Sequence, residues 1–189
     1  VNAVRNNVIW VDQLSGNDAT GQKSEFLFPF ATINAAVAAA APGFLIYVSP
    51  GTYTEDIELV DGLNYYFSPG TEIIGRVHDV TPDSTICIYG YGTFLNNGNT
   101  VEITQAKSVV KFIAKSIQTS GALNAAFRVT SPTAIVSIEC PDVQGQQYGL
   151  QLTGTVNFTG NITASNIGAT ISAGETIIRG NIHASSGLG

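Results

Sequence analysis

The chain has 189 residues, room for one domain with a sizeable core and too few to argue for two. Hydrophobic residues make up 44% of it and charged residues only 12%. The usual charged share is about 25%, so the composition argues against a bundle of charge-covered helices and leaves Ser, Thr, Asn and Gln to solubilise the surface. A net charge of −6 with 8 Lys and Arg argues against a phosphate-binding surface and a nucleic-acid partner.

In chain order, Val8–Asp12 is a short apolar run that reads as a strand, and Leu14–Phe28 is polar and loop-like. Thr32–Ala41 reads as a helix, because alanine is the best helix former and Pro42-Gly43 stops the run. The spacing of Ile33 and Val37 puts both on one face, toward a core. The apolar stretch Ala35–Ala41 is too short and too alanine-rich to insert into a membrane. No secretory signal is legible, and a chain that opens on Val1 without any Met reads as processed or excised.

After Gly43 a repeat takes over. Ser49-Pro50-Gly51-Thr52 returns as Ser68-Pro69-Gly70-Thr71, and Gly160-Asn161-Ile162-Thr163-Ala164-Ser165 returns as Gly180-Asn181-Ile182-His183-Ala184-Ser185. Between these pairs, a large apolar residue and a small one two places on recur as Ile88/Gly90, Phe112/Ala114, Ile138/Cys140, Phe158/Gly160 and Ile178/Gly180. Residues two apart share a strand face, so these ladders point inward, with the small residue where the chain turns a corner. A unit of this length cannot bury its apolar face alone and must stack on its neighbours. Coils are expected to start near Phe44, Leu63, Thr85, Val109, Ala134, Thr155 and Glu175. An antiparallel sandwich would show several hairpin turns such as Asn-Gly, and Asn97-Gly98 is the sole Asn-Gly pair. The expected fold is all-β: a right-handed, single-stranded parallel β-helix of about seven coils with a short N-terminal capping helix. Residues 1–43 supply the strand, loop and cap, and residues 44–189 the coils, in one structural domain.

The stretch Val8–Glu55 resembles the opening of pectin-lyase-like parallel β-helix proteins. The resemblance rests on Val11-Asp12, Gly16-Asn17-Asp18, Pro29-Phe30-Ala31-Thr32-Ile33, Ile46-Tyr47-Val48 and Pro50-Gly51-Thr52-Tyr53-Thr54-Glu55. It implies a capped solenoid whose first coil ends in a Pro-Gly-Thr-Tyr turn. The superfamily includes polysaccharide lyases, esterases, epimerases and hydrolases, and the tailspikes and fibres of viruses, some of them trimers. The cap would cover an open end of core and unpaired edges.

An enzyme of that kind needs calcium carboxylates with a basic residue, an Asp pair, or two acids across a cleft. The positions just outward of the core ladder read Tyr89, Ile113, Glu139, Thr159 and Arg179, one acid and one base two coils apart. At about 4.8 Å per coil the two are about 10 Å apart along the axis, beyond direct pairing. Glu55, Asp56, Glu58 and Asp61 read as a solvated acidic corner, and His78 and His183 as separate surface histidines. No triad, nucleophile elbow or phosphate loop is legible. The residues therefore assign no catalytic group, no metal and no cofactor. The sequons at Asn157 and Asn161 are explained equally well by polar strand ladders.

Tyr47, Tyr66 and Tyr89 fall at similar outward positions on three successive coils and form the candidate ligand-binding column. Such a column suits sugar rings or a partner subunit, unless the segment carrying Trp10 packs over it. Cys87 is expected to face outward and Cys140 inward, two coils apart, too far for a disulfide. The expected function is a non-enzymatic structural or receptor- and glycan-binding module of a viral or phage spike, fibre or capsid. It would be virion-borne or extracellular, and partnered by other virion proteins or copies of itself, with a trimer implied by the resemblance. A polysaccharide-active enzyme, or a fragment of one, and a bacterial adhesin are the alternatives.

Overall fold

The computed structural model describes residues 7–184. Ser185 of the second repeat copy and the segment Ser186–Gly189 therefore lie outside the described residues. The chain is a parallel β-solenoid of about seven turns with one short helix. Each full turn has three strands.

The first face stacks Val8–Val11, Leu45–Val48, Asn64–Phe67, Thr85–Gly90 and Val109–Ile113, then the leading halves of Ile135–Gly145 and Thr155–Ala164, then Thr176–Arg179. The second face begins with Gly51–Tyr53, Thr71–Ile74, Thr93–Asn96 and Ser116–Thr119. It continues through the trailing halves of the same two long strands to Ile182–Ala184. The third face is a separate six-stranded sheet from Ile57–Leu59 to Ile167–Ile171. All pairings are parallel, so each coil satisfies its backbone polar groups on the coils above and below.

Register follows the two repeats. Phe158 pairs with Ile178 and Ile162 with Ile182, the offset of 20 that the Gly-Asn-Ile repeat carries. On the first face Val48 pairs with Phe67, but beyond the Pro-Gly corner Gly51 pairs with Thr71, so the ladder gains one residue at the turn. Another extra residue enters between Cys140 and Asp142, at Pro141, which has no N–H to give a ladder.

The inward column is the expected one. Ile88, Phe112, Ile138 and Phe158 are each 0% exposed and in register, while Ile178 is half-buried on the last described coil. Phe67, Phe94, Phe112 and Phe127 form an edge-to-face chain across the interior, with ring centroids 5.0, 5.2 and 5.4 Å apart. The small-residue corner has a steric cause at Gly160 and Gly180, with φ of 147° and 140°. A β-carbon on either would run into the carbonyl oxygen of the rung below.

The helix spans Ile33–Ala39, shorter than the expected Thr32–Ala41. Thr32 is extended and serves as N-cap, its hydroxyl accepting from the Ala35 N–H, and Ala40 is again extended. Ile33 and Ala36 are buried, whereas Val37 is only partly so. The helix packs on the first coil, and Val8–Val11 is itself a rung beside Leu45–Val48, so the leading segment shares the solenoid's core.

Candidate functional site

The outward column on the first face is real and longer than three tyrosines. Trp10 pairs with Tyr47, Tyr47 with Tyr66, and Tyr66 with Tyr89. Their ring centroids are 4.6, 5.2 and 5.6 Å apart. The segment carrying Trp10 does not pack over the column: parallel pairing makes Trp10 its first rung, with Phe26 edge-on at 5.0 Å. All four rings in the column are half-buried.

Tyr47 and Tyr66 lie nearly parallel, at 23°, so much of each ring face is taken by its neighbour. A ligand alongside these rungs meets mostly edges and hydroxyls. The free aromatic surface is past Tyr89, where the chain turns at Gly90 and Tyr91 stands 61% exposed.

A groove of about 720 Å³ opens there. Tyr66, Tyr89 and Tyr91 form one wall, Ile113 and Ala114 line it, and Lys115, Glu139 and Asn161 supply polar groups. Ile113, Glu139, Thr159 and Arg179 follow one another in register, as the outward positions imply. Burial pushes the Tyr89 phenol up from its ordinary value. The sequence places the three tyrosines correctly, but not Tyr91, Lys115 and Asn161. Those three come from corners, where apolar alternation says nothing about direction.

The third face carries a charged ladder that alternation also hides. Glu58, His78, Glu102 and Arg128 occupy one outward column. Glu102 is 8% exposed and accepts from Asn99 Nδ2 at 2.7 Å, Arg76 at 3.3 Å and Arg128 at 3.4 Å. A carboxylate held by two guanidinium groups and an amide has its oxygens taken up by donors of the fold. Desolvation and the adjacent Arg76 hold His78 below its usual range, so it is neutral at neutral pH.

The acidic corner is not simply solvated, because three of its four carboxylates fill orphan backbone donors. Glu55 accepts from the Ile33 and Asn34 N–H groups, both at 2.9 Å, at the start of the helix. Asp56 takes the Arg76 N–H at 2.7 Å and Asp61 the Thr85 N–H at 2.8 Å. Asp79 sits inside the core wall, 1% exposed, and accepts from Thr104, Gln105 and Ser108, fixing the turn that follows the next rung. These are structural roles.

Cys87 is outward and half-buried, and Cys140 is inward, buried and free. Among the described residues no group of three or more His, Cys, Asp or Glu is arranged to hold a metal ion. No helix among the described residues is long and apolar enough to cross a membrane. No family model, curated protein or solved structure matches the chain.

Proposed function

We propose that this solenoid is a non-enzymatic recognition module that binds surface glycans along its first face. It would serve a viral or phage spike, fibre or capsid, outside the cell, beside other virion proteins or copies of itself. The observation that carries this reading is the aromatic column leading into the groove at Tyr89 and Tyr91. Aromatic rings take the C–H faces of sugars, and the neighbouring Glu139, Asn161 and Thr159 take hydroxyls. Glu139 is the single carboxylate among the described residues lining that groove, whereas glycoside hydrolysis asks for two. Binding is therefore favoured over cleavage.

The test is a glycan array followed by calorimetry on the best ligand. Tyr89→Ala and Tyr91→Ala are expected to weaken binding at least tenfold, while the outlying Glu175→Gln leaves it unchanged. Incubation with polygalacturonate, alginate or bacterial capsule, with and without calcium, is expected to yield no product. Product formation lost in Glu139→Gln would overturn the reading, as would glycan binding indifferent to both tyrosines.

A further inference from the structure

The second face has a groove of a different chemistry. It has a volume of about 480 Å³, and its lining among the described residues includes no Asp, Glu, Lys, Arg or His. Its spine is one outward column in continuous register: Ile74 beside Leu95, Leu95 beside Gln118, Gln118 beside Gln144, and Gln144 beside Thr163. Successive rungs are about 4.8 Å apart, so the column presents two apolar side chains, then two amides, then a hydroxyl along the solenoid axis.

The two amides are held in place. Gln118 Nε2 donates to Ser116 Oγ at 2.9 Å, and Gln144 Nε2 donates to Asp142 Oδ2 at 2.8 Å. Ser116 Oγ donates to the same Asp142 oxygen at 3.2 Å, so one carboxylate anchors both rungs. In a planar amide the oxygen and nitrogen point in different directions from the carbonyl carbon. Each Nε2 is committed to the neighbouring column, no protein donor among the described residues occupies either Oε1, and both side chains line the groove. Asn96 is different: its Nδ2 goes to the Asn99 carbonyl and its Oδ1 takes the Asn97 N–H, so it serves the turn.

We infer that this groove is a second binding site, for a neutral, hydroxyl-rich ligand of the oligosaccharide class. Paired carbonyl acceptors one rung apart ask the ligand for O–H or N–H donors at a matching repeat. The absence of charge from the lining disfavours uronic and other acidic sugars, which would be desolvated without a counter-charge. Ile74, 41% exposed, and Leu95 form a shelf for the apolar C–H side of a ring. The site lies on a different face from the aromatic groove and does not depend on it.

The experiment is a titration of the labelled protein with cellohexaose, maltohexaose and chitohexaose, followed by the NMR signals of the Gln118 and Gln144 side-chain amides. At least one probe is expected to shift both amides saturably, in the millimolar range or tighter. Gln144→Met keeps the length of the side chain but removes the carbonyl, and is expected to weaken that probe at least tenfold, read at Gln118. Tyr89→Ala is expected to leave it unchanged, which separates this site from the aromatic groove. Polygalacturonate oligomers are expected to cause no shift at these amides. The inference fails if no neutral probe moves the two amides, if Gln144→Met binds as well as the parent, or if calcium alone reproduces the shifts.

Discussion

Replacing Phe112 with Ala tests the core register most directly. Phe112 is fully buried, sits between Ile88 and Ile138 in its column, and meets Phe94 and Phe127 edge-to-face at 5.2 and 5.4 Å. Truncating a buried Phe to Ala costs about 3–5 kcal/mol, depending on how far the surroundings collapse into the space. Here collapse is opposed, because backbone ladders on every face hold the rungs about 4.8 Å apart. Two aromatic pairs, each worth about 0.5–1.5 kcal/mol beyond their area, are lost as well. The expected loss is therefore near the upper end, about 5 kcal/mol, a large part of the ~5–15 kcal/mol that holds a domain folded. Ile178→Ala, in the same column but half-buried on the last described coil, should cost about 1–2 kcal/mol. Urea unfolding followed by far-UV circular dichroism and by tyrosine fluorescence measures both, and coincident transitions license the comparison. A loss below about 1 kcal/mol at Phe112, or equal losses at the two sites, would refute the stacked-column account.

Two further outcomes follow from buried ionisable groups. Thiol titration of unreduced, denatured protein should find both cysteines, whereas the native protein should release Cys87 readily and Cys140 only on unfolding. Cys140 is 1% exposed, and its thiol is pushed up to about 12 by burial. Finding neither thiol in a monomer would mean an internal bridge and a wrong register. The phenols of Tyr53 and Tyr65 are likewise pushed from 10.0 to about 12, chiefly by burial. A folded value above the unfolded one stabilises fully below the unfolded value, so stability should fall as pH rises from about 10 toward 12. Ultraviolet titration of phenolate formation should show Tyr53 and Tyr65 among the late tyrosines of the native protein, and their ionising near 10 without loss of structure would contradict the burial.

What the sequence revealed and what it concealed divide along strands and corners. Within a strand, side chains alternate, so Ile88, Phe112, Ile138 and Phe158 declare one inward column, and Tyr47, Tyr66 and Tyr89 one outward column. The starts of the coils were legible for the same reason, because each begins where alternation resumes after a Gly, Pro or Ser corner. The Ala-rich helix was legible by propensity, yet its ends were set by Thr32 and Ala40 adopting extended backbone, which propensity overlooks. The extra residues at the corner 68–70 and at Pro141 were concealed, since one residue added at a corner leaves the alternation of the flanking strands unchanged.

The polar side chains were the least legible, and the acids show why. Glu55, Asp56, Asp61 and Asp79 look alike in sequence and solve one problem in the structure: a solenoid corner interrupts the ladder and leaves backbone N–H groups without partners. A carboxylate at the right offset along the coil supplies the acceptor, so the placement of these four acids follows corner geometry. The same reasoning separates the two grooves from the charged ladder. Glu102 has its oxygens occupied by Asn99, Arg76 and Arg128, which leaves it fixed and passive. In the grooves, by contrast, polar groups stand beside apolar shelves with acceptor capacity left unused by the fold. That contrast, between polar atoms consumed by the fold and polar atoms left over from it, is what supports the proposal that the first and second faces bind ligands.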